Sequence, residues 1–205
     1  MTKRAEGVSE KILACAKKEF LEKGFSDASL RTIAAMAETT TGSIYSRFGG
    51  KEELFTAIVE PAANHVLQRF LEVQETFHKM DEEKQPEMMQ DYVEDAMLEM
   101  VDYMYENFET FQILLDASHG TKFQNFVGQL VEIETEYSYK YMDVIHFPAQ
   151  DGEVITEEFI HIMSTAIFEG IFEVIRHKMT KENAIKYIHM LSRFHNAGWA
   201  AIFEL

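Results

Sequence analysis

The stretch between Gly24 and Gly50 sets the tightest limit on the fold, because start and stop signals for helices recur there faster than a long helix allows. Gly24 follows an apolar-periodic run, Ile12, Leu13, Ala16 and Phe20, which predicts a first helix over 9–23. Ser29 can accept the first free N–H groups of a second helix over 30–37, and Thr40 those of a third over 41–48. Gly49-Gly50 then breaks the chain. Glu52 and Glu53 stand in the first turn of a fourth helix, where the positive end of the helix dipole favours acid. Two short helices joined by a tight turn, behind a longer supporting helix, form a helix-turn-helix, the motif that lays its second helix in the DNA major groove.

On the third helix, at about 100° of rotation per residue, Ile44 and Phe48 fall together and belong to the core. Gly42, Ser43 and Ser46 fall opposite and would face the groove, with Tyr45 and Arg47 on the flanks, in reach of phosphates. Small groove-facing residues permit close approach, and hydroxyls bond phosphate or base edges. Gly42 in the first turn lets backbone N–H groups meet a phosphate at the positive helix end, and Lys51 opens the next helix in the same way.

The formal net charge of −16 argues against nucleic acid as a partner of the chain as a whole. The charge is unevenly placed, however. Residues 1–56 carry nine Lys/Arg against eight Asp/Glu, whereas residues 57–205 carry ten against 27. The first part binds DNA, on this reading, through the arrangement of Lys3, Arg4, Arg31, Arg47 and Lys51, while Lys11, Lys17 and Lys18 read as ordinary surface charge. The distant acid is screened over a Debye length of about 8 Å.

Beyond residue 50 the pattern stays helical. Pro61 predicts a kink or an early end in the fourth helix. The polar segment 81–86 is a break, helices are expected over 87–107, 109–117 and 123–144, and 146–152 reads as a loop before closing helices over 156–179 and 181–203. The expectation is an all-α chain with a helix-turn-helix DNA-binding domain over 1–50 and a larger helical domain over 51–205. The basic N-terminus lacks the apolar run of a signal peptide, no segment is apolar enough to span a membrane, and Cys15 has no partner for a disulfide. A cytoplasmic protein with no membrane partner follows, with Cys15 packed in the core.

The closing helices each carry a broad apolar face. Phe159, Ile160, Met163, Ala166, Ile167, Gly170, Ile171 and Val174 share one, with a second patch at Phe168, Phe172 and Ile175; Ala184, Tyr187, Ile188, Leu191, Phe194, Gly198 and Ile202 share another. Two patches on one helix imply burial from two sides. Gly170 and Gly198 inside these faces suggest close helix approach. A four-helix homodimer interface is expected through Phe159, Met163, Ala166, Gly170, Tyr187, Leu191, Phe194, Gly198 and Ile202.

Methionine and aromatic residues crowd the middle of the chain. Most belong to a core, but Met-rich surfaces repack around varied ligands and pockets form between bundled helices. Met100, Tyr103, Met104, Phe108, Phe126, Tyr137 and Phe168 are the candidate lining of a small-molecule pocket, beside Met97, Phe111 and Tyr141. Glu99, Glu134 and Glu169 lie in similar runs, as solvated charge or as holders of a cationic ligand. The eight histidines, including Glu158-x-x-His161 and His189/His195, lack metal-ligand spacing. There is no nucleophile–base pattern, no Gly-rich phosphate loop and no catalytic carboxylate pair. Neither an enzyme, nor a metal, nor a cofactor is expected.

The run Ile12-Leu13, Phe20, Lys23-Gly24-Phe25, Ser29 to Ala34, Ala37, Thr40 to Tyr45, Phe48 and Lys51 to Leu54 resembles the N-terminal domain of the TetR family of transcriptional repressors. The resemblance implies a homodimer that binds a palindromic double-stranded DNA operator and is released by a small-molecule effector in the C-terminal domain. It further implies that Ser29 caps the second helix and touches phosphate with Arg31 beside it. Thr40, Thr41, Gly42 and Ser43 would open the recognition helix at the groove, and Tyr45, Ser46, Arg47 and Lys51 would contact the DNA backbone. Glu38 stands where the family usually has Gly. If the turn needs a left-handed backbone, an L residue there costs on the order of 1 kcal/mol. Thr41 replaces a common Lys. Two alternatives go with these departures: control by a protein partner in place of a small molecule, or an adaptor whose helix-turn-helix no longer binds DNA.

Overall fold

The computed structural model describes residues 3–145 and 155–203, apart from the side chains of 3–6 and 203. The side chains of Lys3 and Arg4 and the loop expected at 146–152 therefore lie outside the described residues. Within them every regular element is a helix: α1 (Lys3–Asp27), α2 (Leu30–Met36), α3 (Thr41–Phe48), α4 (Lys51–His78), α5 (Gln85–Glu106), α6 (Phe108–Asp116), α7 (Phe126–Val144), α8 (Glu157–Arg176) and α9 (Lys181–Phe203). The expected polar break at 81–86 is a single 3₁₀ turn, Glu82–Lys84.

The chain forms two compact units. One is Met1–His65 with Asn107–Phe126, the other Val66–Glu106 with Val127–Leu205. The division expected after residue 50 differs from this because sequence order hides an insertion. α6 and the turn after it join the first unit, through Lys17 Nζ donating to Thr110 Oγ1 (3.1 Å) and the Phe25 N–H donating to the Ala117 carbonyl (2.9 Å). The rings of Phe55 and Phe123 lie 6.2 Å apart, and Lys122 pairs with Glu60 at 2.6 Å.

In the first unit α1 packs on α2 and α6, and α2 on α3. Ile12, Ala16, Phe20, Ile33, Ile44 and Phe55 form its core, with Phe20 and Phe55 edge to face at 5.0 Å. Gly24 breaks the helical path of α1 with φ 72°, where glycine alone is unstrained, so the helix proper ends where its signal predicts. The Glu19 carboxylate is buried and accepts from the Ser29 N–H at 3.0 Å, which fixes the entry to α2. Cys15 is half-buried, short of the core position expected of it.

In the second unit α5 packs on α8 and α9, and α8 on α9, around Val101, Met104, Phe172, Val174, Ile175 and Ile188. α4 contributes its later half here. It runs through Pro61 without ending, so of the expected kink or early end the latter does not occur. Pro61 and Ala57, whose carbonyl loses its donor, are both exposed, so water can supply the missing hydrogen bond.

Candidate nucleic-acid interface and ligand cavity

The turn from α2 to α3 is built from backbone hydrogen bonds. The Glu38 N–H donates to Ala35 (3.1 Å) and the Thr39 N–H to Ala34 (2.9 Å), the paired pattern that ends a helix with one left-handed residue. That residue is Glu38, at φ 52°. The strained turn anticipated at this position is present, and the Glu38 carboxylate pairs with Lys11 at 2.6 Å. This contact, with the Lys11 ammonium hydrogen-bonding the carboxylate, holds its pKa below the ordinary value.

α3 spans the expected residues. Thr40 caps it, its hydroxyl accepting from the Ser43 N–H at 3.1 Å, and Ser29 caps α2 in the same way from Thr32 at 3.4 Å. Ile44 is wholly buried and Phe48 half-buried, which turns the opposite side outward. Thr40, Gly42, Tyr45, Ser46, Arg47 and Arg31 are exposed, Tyr45 at 58%, and Ser29, Thr41 and Ser43 are half-buried. Arg47 is held by two hydroxyls, its Nε donating to Ser43 Oγ at 3.3 Å and a terminal nitrogen to Ser9 Oγ at 3.1 Å. Lys51 is half-buried. Its ammonium donates to the Ser26 and Ala28 carbonyls, both at 3.0 Å, and stands 4.7 Å from the centre of the Phe25 ring. Lys51 therefore ties the end of α1 to the start of α4, a role its spacing did not reveal.

The second unit holds a partly open cavity of about 290 Å³ between α4, α5, α7, α8 and α9. Of the pocket candidates, Met100, Tyr137 and Phe168 line it, with Met97 and Tyr141. Phe108 and Phe126 belong to the first unit, and Tyr103 and Met104 continue the α5 stripe beyond the cavity. Of the three glutamates, Glu99 is taken by Arg69 in a bidentate pair (2.6 and 2.9 Å) and Glu169 by Arg176. Glu134 alone faces the cavity.

Glu134 accepts from Gln74 Nε2 at 2.6 Å, and Ser138 also bonds it. By surface area it is only half-buried, because the cavity reaches it, but protein surrounds it densely and that governs its charge. Burial outweighs the two hydrogen bonds and pushes its pKa up to about 7. Residues the sequence reading missed complete the wall. His78, Phe70 and Phe77 come from α4, and His195 and Trp199 from α9. His195 accepts from the Trp199 indole at 2.8 Å, and burial pushes its pKa down to about 4. The available signal was spacing, since Gln74/His78, Glu134/Ser138 and His195/Trp199 each stand one helical turn apart.

On the interface helices, Gly170 meets Leu191 and Tyr187 within the chain; a Cβ there would lie 3.3 Å from Leu191 Cδ2. Met163, Tyr187 and Leu191 are half-buried. Phe159, Ala166, Phe194, Gly198 and Ile202 are exposed, together with Ile162 and Met190. Among the described residues no group of three or more His, Cys, Asp or Glu could hold a metal ion, and no helix is long and apolar enough to cross a membrane. His189 is paired with Glu94 at 2.6 Å.

A capped recognition helix behind a left-handed turn, followed in an all-helical chain by a larger bundle, defines the class: helix-turn-helix proteins of the regulator type. Residues 12–58 match the model of the bacterial regulatory proteins of the tetR family. The HTH-type transcriptional regulator UidR of Escherichia coli K12 is 33% identical over 81 residues, 40% of this chain and 41% of that protein. The HTH-type regulator YvdT of Bacillus subtilis 168 is 39% identical over 67 residues, 33% of this chain and 34% of that protein. The chain thus spans about 41% of the length of the first of these curated relatives. NalD, the secondary repressor of the MexAB-OprM multidrug efflux pump in Pseudomonas aeruginosa, has the same fold, with a TM-score of 0.58 at 21% identity over 94% of this chain and 97% of that one. So has the TetR-family regulator PfmR of Thermus thermophilus, at 0.57 and 19% over 94% and 97%.

Proposed function

We propose that the chain is a cytoplasmic transcriptional repressor that binds a palindromic DNA operator as a homodimer and responds to a small-molecule effector. The observation that carries this reading is the outward face of α3, where Thr40, Gly42, Tyr45, Ser46 and Arg47 stand exposed over a buried Ile44. Arg47 is steadied by Ser43 and Ser9 beside the groove-facing residues. Dimerisation is supported by the apolar surface on α8 and α9, with Ile162 at 57%, Met190 at 63% and Phe194 at 80% exposure. Exposed apolar side chains gathered in this way mark an interaction surface. Effector response is supported by the cavity in the second unit.

Selection from a random double-stranded DNA library in graded salt tests the reading. A palindrome should be enriched, and log affinity should fall linearly with log salt. Tyr45→Ala should weaken operator binding by about tenfold at unchanged thermal stability, since the ring contacts DNA and little else. Lys51→Ala should lower the melting temperature first, because two carbonyls and a ring lose their cation. No enriched palindrome, or an operator affinity untouched by Tyr45→Ala, defeats the proposal. Light scattering that returns a monomer at micromolar concentration removes the homodimer.

A further inference from the structure

The cavity of the second unit has an unbalanced chemistry. Glu134 is the one carboxylate among its lining residues, and no lysine or arginine lines it. Three of its hydrogen-bond donors are spent on protein. Gln74 donates to Glu134, Tyr92 donates its hydroxyl to the Val73 carbonyl at 3.1 Å, and Trp199 donates to His195. Acceptor capacity is left over. The Nδ1 of His78 lies 3.0 Å from the Gln74 carbonyl, which can only accept, so that nitrogen carries the proton. The Nε2 is then a bare acceptor, buried and without a hydrogen-bond partner. Gln74 joins the two acceptors: its carbonyl holds His78 and its side-chain amide holds Glu134. The ring of His78 also meets that of Tyr137, three residues along from Glu134, at 5.0 Å.

The rest of the wall is apolar and aromatic. Phe70, Phe77, Tyr137, Tyr141, Phe168 and Trp199 all line the cavity. Aromatic faces attract cations and offer an anion nothing. An uncompensated carboxylate inside such a wall costs free energy until a cation meets it.

The geometry points to a monocationic amine with an aromatic or apolar body as the ligand class of this cavity, its ammonium donating to Glu134 and His78 Nε2 while its body lies among the rings. This rests on the effector-responsive reading above. The acceptor pair selects a primary or secondary ammonium, which has N–H groups to give, over a quaternary one. Binding keeps Glu134 ionised, so the proton that it carries below about pH 7 leaves to solvent. Affinity for the amine therefore rises as the pH goes from 6 to 8. The other titratable groups in the wall are His78 from α4, Tyr92 from α5, Tyr137 and Tyr141 from α7 and His195 from α9; α8 contributes none.

Trp199 is the single tryptophan of the chain and lines the cavity, so its fluorescence reports occupancy directly. The full-length chain is titrated with three probes of one shape: 4-phenylbutylamine, 4-phenylbutan-1-ol and 4-phenylbutanoate. At pH 8 the amine should bind about tenfold tighter than the alcohol, and the carboxylate most weakly. Glu134→Gln should remove the preference for the amine over the alcohol. Alcohol or carboxylate binding as tight as the amine, or an amine affinity indifferent to Glu134→Gln, overturns the cationic assignment while the effector reading stands. Failure of all three probes to bind overturns both. The comparison of probes on the unaltered chain decides the matter even if the variant does not fold.

Discussion

The face of α3 and the cavity of the second unit hold their polar groups by different means. Around α3 the supports are local. Thr40 caps an N–H three residues on, Arg47 reaches Ser43 four residues back, and the left-handed turn closes over six residues. In the cavity they are remote, since Gln74 and Glu134 are 60 residues apart and five helices must pack before the wall exists. A locally supported face forms with its helix and depends on one anchor beneath it. A remotely supported cavity is defined only by the packing of all its walls, and its charge state reports whether they have closed.

The largest test of that contrast is the anchor. Ile44 is wholly buried beneath the exposed face of α3. Ile44→Ala should cost about 2–4 kcal/mol, the usual loss for truncating a buried isoleucine. Hydrogen exchange should show faster opening at the amides of α2 and α3. Affinity of the cavity for 4-phenylbutan-1-ol should not change. A cost below about 1 kcal/mol would mean that α3 is held by something other than its own buried side chain.

A smaller effect reads the cavity. The pKa of Glu134 is raised from an ordinary 4.5 to about 7, so between those values the folded chain binds a proton that the unfolded chain does not. Its contribution to stability is complete below about 4.5 and is lost as the pH rises through about 7. Glu134→Gln cannot ionise. The melting temperature of the variant minus that of the unaltered chain should therefore grow from pH 4.5 to 7 and level off above. His195, lowered from 6.5 to about 4, has the opposite sign, losing stability as the pH falls through that window, but it is common to both proteins and cancels in the difference. A difference that does not vary with pH would mean that water reaches Glu134 freely and that the wall is not closed.

Legibility in the sequence follows the same contrast. α3 was readable to the residue because its start, its anchor and its stop, Thr40, Ile44 and Gly49, all lie inside one short window. The cavity was half readable. Met100, Tyr137 and Phe168 stood out by residue type, but Phe108 and Phe126 did so too and fall in the other unit. No spacing rule could separate them, because the insertion of α6 into the first unit is a tertiary event. Glu134 was indistinguishable from Glu99 and Glu169 until the structure gave the latter two their arginines. Lys51 was misleading for a related reason: a cation at a helix start suggests phosphate, but the carbonyls of Ser26 and Ala28 that hold it lie more than twenty residues earlier in the chain, at the end of α1.

The smallest expected effect uses a device that both units share. Lys178, at φ 50°, ends α8 as Glu38 ends α2, its own N–H donating to Ile175 (3.0 Å) and that of Met179 to Val174 (3.0 Å). Each is an L residue in the left-handed region, where glycine fits without strain. Glu38→Gly and Lys178→Gly should each raise the melting temperature by roughly 2–4 °C, the usual return on about 1 kcal/mol in a chain of this size. The Lys11 pair lost with Glu38 is exposed and offsets little of that gain. The two should part on DNA. Glu38 places a negative charge in the turn that leads into α3, so Glu38→Gly should tighten operator binding several-fold, most strongly at low salt, while Lys178→Gly leaves it unchanged. Equal effects on DNA from the two variants would mean that the turn before α3 acts through fold stability alone, and that the charge of Glu38 is no part of how the first unit meets DNA.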